Sequence, residues 1–322
     1  MLQPAPLKDV SRYPVTASVA LVSIGVTVMW WLGRDVDAIA MNSRVWAHWE
    51  LWRALTSTLP HVNFFHIAFN LYWFWTFGTM LEGVYGHLRY TIILLLLAFA
   101  PLLAEFMLFN GGVGLSGVGY GLWGMLWILE KRDARFAGAV DRRTSETFII
   151  WFFLCVVLTI THVMPVAHVA HGVGGIMGVL LGFVAGRRGP VRWAAGAGLA
   201  IIVAVCVAGS TVWWPWINLS KYAEGEIEQE GIDALERHDP RAGVHYLEIA
   251  AHRRDAPARA WYNLGVAYNS LEEYNKTLSA WEHAAQMPDA ESDYARFARE
   301  LRQVLESERR LKPAFTNSAV RQ

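Results

Sequence analysis

The chain has 322 residues, of which 54% are hydrophobic and only 17% charged, and its mean hydropathy is +0.26. That is too apolar for an ordinary soluble domain of this size and points to a membrane protein. The formal net charge is zero, so neither a nucleic-acid surface nor an acidic or basic partner is implied, and Cys155 and Cys206 both sit inside apolar runs, which argues against a disulfide framework or a metal cluster.

A polar start, 1–14, carries Lys8 and Arg12, and 15–32 is an apolar run long enough for one crossing. Ala38-Ile39-Ala40 mimics a signal-peptide cleavage site. The run is long for a signal peptide, however, and Asp35 and Asp37 intervene, so it reads as an anchor. The connection 33–60 carries Trp46, Trp49 and Trp52 beside Arg44 and Arg53, a density of tryptophan that suits the membrane interface; a soluble loop with an aromatic cluster is the alternative. Spacing alone leaves Trp52-Arg53 as either a buried ion anchor or an interface pair.

Further crossings are expected at 61–85, 90–109, 116–129, 148–163, 166–185 and 193–214. The fold class is therefore all-α, a polytopic membrane helical bundle over 15–214. The most basic short loops hold Lys131, Arg132, Arg135, Arg142 and Arg143, then Arg187, Arg188 and Arg192; they assign these loops, and with them the N-terminus, to the cytoplasm. In that topology His66, Asn70, Ser116 and His171 all fall in the outer half of the membrane.

The same topology sends the tail outward. From about Lys221 the composition turns polar, and Trp261-x-x-Leu264-Gly265-x-x-Tyr268, followed by Trp281 and Ala284, fits one tetratricopeptide unit, with Thr277 where that pattern prefers alanine. Stepping 34 residues back finds Gly231, Leu247 and Ala250, and stepping forward finds Ala295 and Ala298, so the flanking units are degenerate. Such units bury a core only by stacking, which favours a small helical array over 221–312 with a disordered segment at 313–322; a plain helical hairpin is the alternative.

The chemistry centres on Gly114-Leu115-Ser116-Gly117 and Ala170-His171-x-x-Gly174-x-x-x-Gly178. On a 3.6-residue helix Gly117, Gly121 and Gly124 form one stripe, while His171, Gly174, Gly178 and Gly182 form another. Stripes of this kind let two membrane helices approach to backbone contact, which would bring Ser116 within reach of His171, and a histidine in hydrogen-bond range turns a serine into a nucleophile. Glycine-rich packing helices with incidental polar residues are the simpler reading. His61-x4-His66-x3-Asn70 places the last two on one helix face, where their N–H donors suit a developing oxyanion, with the Ser116 backbone N–H as a third. A self-satisfied polar pair, a proton relay in a transporter and a zinc site are the competing readings; no H-E-x-x-H is present. No carboxylate is well placed to orient His171, because Glu105 lies in the third span and Glu130 at the inner end of the fourth. A dyad is thus expected, with Tyr120, one turn below Ser116, either stacking on the imidazole or simply packed. His168 competes as base, but His171 is the one aligned with the glycine stripe.

Taken together, Trp52-Arg53, His61-x4-His66-x3-Asn70, the Gly114–Gly117 motif and the Ala170–Gly178 motif resemble the rhomboid family of intramembrane serine proteases over about 46–186. The resemblance implies a six-helix core with Ser116 as nucleophile, His171 as general base, and His66 and Asn70 in the oxyanion hole. It implies cleavage of transmembrane protein substrates near their outer end, after a small residue, in a water-filled hollow entered from the lipid bilayer, without metal or other cofactor. A seventh crossing occurs in some members, whereas the tetratricopeptide-like tail is unusual. Short loops favour a bacterial inner membrane, and the tail is expected to bind a peptide or protein partner. A catalytically silent relative that binds membrane clients, and a transporter with a soluble adaptor, are the alternative functions.

Overall fold

The computed structural model describes residues 5–186 and 189–318. Arg187 and Arg188 of the basic run, and residues 319–322 of the expected tail segment, lie outside the described residues. Every regular element among the described residues is helical, and the chain divides into two compact units, Met1–Leu219 and Ser220–Gln322.

In the first unit seven longer helices follow in order: α1 (Pro14–Trp31), then, after the short α2 (Arg44–Ala47) and α3 (Arg53–Thr56), α4 (Phe64–Tyr85), α5 (His87–Leu108), α6 (Ser116–Leu129), α7 (Arg142–Ile160), α8 (His168–Gly186) and α9 (Pro190–Ser210). Five of these, α1, α5, α7, α8 and α9, are long and apolar enough to cross a membrane by themselves. The other two differ for separate reasons. α4 has the length but carries His66, Asn70, Glu82 and several indole and phenol rings. α6 is apolar but has 14 residues, about 21 Å of helix against a hydrocarbon core of about 30 Å. It is enclosed by protein, with most of its residues buried.

The boundaries follow local chemistry. α1 starts on Pro14, whose missing N–H costs nothing at that position. Between α4 and α5 the chain turns on the single residue Gly86, at φ +76°, a conformation that disfavours a side chain. The fifth long helix, expected from 148, begins at Arg142, because Asp141 caps it by accepting from the Thr144 N–H at 2.7 Å.

The expected stripes do meet. A Cβ added to Gly174 would strike the carbonyl oxygen of Gly117, one on Gly178 that of Gly121, and one on Gly182 would come within 2.9 Å of the Met125 carbonyl oxygen. α6 and α8 are thus packed backbone to backbone along their length, the geometry that small residues allow where helices are held by contact rather than by water exclusion.

The second unit is a series of antiparallel neighbours, α11 (Tyr222–Glu236), α12 (Pro240–Ala251), α13 (Ala258–Ser270), α14 (Tyr274–Gln286) and α15 (Ser292–Ser318); the short α10 (Trp214–Ile217) precedes them in the first unit. The indole of Trp281 lies against Gly265 and donates to the Tyr262 carbonyl at 3.1 Å; Leu247 lies against Gly231 in the same way, at the same sequence offset. The last helix runs from Ser292 to Ser318.

Candidate active site

The site is assembled around the N-terminal ends of α6 and α8. Ser116 is the first residue of α6 and is half-buried. Its amide is among the first N–H groups of a helix, which have no intrahelical acceptor and sit at the positive end of the dipole. Gly117 follows it, lying against Ala170, the residue before His171. The close helix contact is thus made by the residues that stand next to Ser116 and His171 in sequence. His171 is 3% exposed, and its Nδ1 has no hydrogen-bond partner. The ring of Tyr120 stacks on its imidazole, with centroids 4.6 Å apart and planes at 21°, and the Tyr120 hydroxyl donates to the Phe148 carbonyl at 2.9 Å.

The loop before Ser116 is held by α4 and the segment leading into it. Gly114, at φ +105°, takes a conformation that disfavours other residues, and a Cβ there would lie 2.7 Å from Cε1 of His66. The Gly114 N–H donates to the Ser57 carbonyl at 3.0 Å, and the Leu115 N–H donates to Nε2 of His61 at 3.2 Å. Nδ1 of His61 lies 2.9 Å from the Leu59 carbonyl. Since Nε2 accepts, the proton is on Nδ1, and His61 is a neutral strut that fixes the nucleophile loop. Its own N–H donates to the Thr27 hydroxyl at 3.1 Å.

His66 packs against His61 with ring centroids 4.9 Å apart. Asn70, one turn further along α4, is 6% exposed, and its Nδ2 has no partner. A buried amide donor left unsatisfied is costly and calls for a reason, such as an acceptor that arrives with a ligand. His168 opens α8, with Nδ1 3.1 Å from the Val166 carbonyl and its ring near Phe109.

Arg53 is a buried ion anchor rather than an interface residue. It is 4% exposed, and its guanidinium donates to the Asp37 and Ala40 carbonyls at 2.5 and 2.9 Å and to Glu50 at 2.6 Å, while Trp52 stays exposed and receives only a cation–π contact at 5.0 Å. The hydrogen bond from Arg44, reinforced by Arg53, holds the Glu50 carboxyl down at about 2. The long first loop is thus fixed from within.

Sequence reasoning missed one residue. Glu105, on α5, is 3% exposed and accepts from the Ala170 N–H at 3.0 Å, so its carboxylate caps α8 beside His171 instead of orienting the ring. The available signal was an unpaired carboxylate near the end of an apolar span, which has to find donors.

These features define a polytopic helical membrane protein whose polar groups converge at one end of a glycine-packed helix pair. Residues 48–188 match the family model of the Rhomboid domain, so this part of the chain is similar to the rhomboid family. The chain is 31% identical over 174 residues to the rhomboid protease GlpG of Photorhabdus laumondii, covering 52% of this chain and 60% of that one. Against the GlpG of Serratia proteamaculans it is 31% identical over 159 residues, 49% and 54% of the two chains, and against that of Pectobacterium atrosepticum 29% over 181 residues, 53% and 62%. The chain therefore spans less than two thirds of the length of these curated relatives.

Proposed function

We propose that the protein is an intramembrane serine endopeptidase that cuts transmembrane segments of other membrane proteins with a Ser116–His171 dyad. In this reading the Ser116 hydroxyl oxygen attacks the peptide carbonyl carbon while Nε2 of His171 takes the hydroxyl proton. The resulting oxyanion is held by the Ser116 N–H, the Asn70 carboxamide and His66. Collapse breaks the C–N bond, and His171 returns the proton to the leaving amine. Water then attacks the acyl-serine with His171 again as base, releasing the acid and restoring the hydroxyl. Tyr120 takes the orienting role that a carboxylate has in a triad.

The observation that carries the reading is the contact of Gly117 with Ala170, the residues next to Ser116 and His171 in sequence. The GlpG relatives named as rhomboid proteases support it. Incubation of the purified protein in detergent with a labelled transmembrane substrate, beside Ser116→Ala and His171→Ala, tests it. Both variants are expected to be inactive, and equal cleavage by wild type and Ser116→Ala would refute the enzyme.

The excess of Lys and Arg in the loops after α6 and α8 supports an N-terminus on the cytoplasmic side of a bacterial inner membrane and a tail on the outer side; an accessibility reporter at the C-terminus checks it. The tail, 221–312, is read as a tetratricopeptide-like peptide-binding module. The matching Gly231–Leu247 and Gly265–Trp281 contacts support that reading. Deleting 221–322 should change which substrates are cut while a generic one is still cleaved.

A further inference from the structure

The segment that leaves α9 grips one end of α5. Ser210 Oγ donates to the Leu103 carbonyl at 2.7 Å and Trp214 Nε1 to the Phe106 carbonyl at 2.8 Å. Asn218 Nδ2 donates to the Phe106 and Phe109 carbonyls at 2.9 and 2.8 Å, and the Leu219 N–H to the Leu108 carbonyl at 2.8 Å. The last carbonyls of a helix have no intrahelical donor, so the bonds to Phe106, Leu108 and Phe109 satisfy groups that lipid cannot. The Trp214 indole is also sandwiched between Phe106, at 5.1 Å and 15°, and Trp46 of the first loop, at 5.3 Å and 12°.

The same turn of α5 bears Glu105, whose carboxylate accepts from the Ala170 N–H. Ala170 packs on Gly117 and immediately precedes His171. The contacts run without a gap from the exit of the seventh long helix, through the end of α5 and Glu105, to the start of the helix that bears the histidine. We infer that Glu105 is a positioning residue for the dyad and that Ser210, Trp214 and Asn218 form the clasp that holds it in register. This rests on the protease reading for its catalytic consequence, not for its geometry. A side-chain cap at the first turn of α8 fixes where the backbone of His171 sits, and catalytic pairs are sensitive to displacements of about 1 Å.

The test compares Glu105→Leu, Glu105→Gln, Asn218→Leu and Trp214→Phe with wild type in the full chain. Glu105→Leu should slow labelling of Ser116 by a fluorophosphonate, and lower kcat for a transmembrane substrate, by about 10- to 100-fold with little change in KM. Glu105→Gln keeps an acceptor and should restore most of the loss; Asn218→Leu and Trp214→Phe should show smaller losses of the same kind. Hydrogen–deuterium exchange over residues 168–172 gives a reading independent of chemistry, and it should quicken in Glu105→Leu and Asn218→Leu. Labelling and exchange in Glu105→Leu within twofold of wild type would overturn the inference. A wild type that neither labels at Ser116 nor cleaves would sink the protease reading, while the exchange result would still decide the clasp.

Discussion

Gly124→Ala tests the backbone packing of α6 on α8 away from the chemistry itself. A Cβ at Gly124 would lie 2.5 Å from the carbonyl oxygen of Gly175 and 3.2 Å from the Val179 amide nitrogen, where ordinary contact begins at 3.4 Å. Because the obstacle is backbone and cannot rotate away, the helices must part by about 0.9 Å at that level. Overpacking of this kind costs about 1–3 kcal/mol, partly offset by the roughly 0.5–1 kcal/mol that alanine gains over glycine in a helix. Gly124 is two turns, about 12 Å, from Ser116, so the side chains of the dyad are untouched; only their spacing changes. A shift approaching 1 Å should lower kcat on the order of 10- to 100-fold. The controls are Gly119→Ala and Gly175→Ala, at which an added Cβ meets nothing within 4 Å. Both should match or slightly exceed wild type in thermal unfolding and cleave at its rate. Rates measured in detergent on one transmembrane substrate, with unfolding followed in the same samples, decide the matter. Gly124→Ala behaving like Gly119→Ala would show that the backbone contact does not set the site.

Asn70→Ala removes a buried donor that has no partner in the resting protein, so kcat should fall about a hundredfold while KM and unfolding temperature stay near wild type; an unchanged kcat removes Asn70 from the oxyanion hole. Glu50 titrates at about 2, below its ordinary 4.5, so the stability it lends the first loop is present above about pH 4.5 and is lost as pH falls toward 2. Protease nicking of residues 33–60, followed from pH 7 downward with an acid-stable protease, should rise only in that window, and Glu50→Gln should flatten the profile; wild-type release already at about pH 6 contradicts the assignment. In the tail, Gly265→Ala drives a methyl into the Trp281 indole and should destabilise that unit by about 1–3 kcal/mol, whereas Gly231→Ala meets the movable Leu247 side chain and should cost less. Equal unfolding temperatures for the two would argue against paired repeat cores.

Much of this was legible in the residues because it repeats along single elements. The glycines of α6 and α8 recur at helical spacing, so their stripes, and the pressing together of the two helices along them, followed from a period of 3.6. His66 and Asn70 were placed on one face by their separation of four. Gly114 stood out as a glycine beside the serine, and its φ of +105° gives the reason.

What the sequence could not decide were choices made between elements. Arg53 was readable as interface or anchor until the loop folded back to offer it the Asp37 and Ala40 carbonyls. Glu105 looked like a carboxylate in a span without a task, and only packing brings it to an amide 65 residues away. His61 became a strut, and Asn218 a cap on a helix end 112 residues earlier, in the same way. Hydropathy and periodicity report which face of a helix is apolar; they carry no information on which helix end meets which polar side chain. That pairing is fixed by the requirement that every buried donor and acceptor find a partner where water is absent, and it is met only once the whole bundle is assembled.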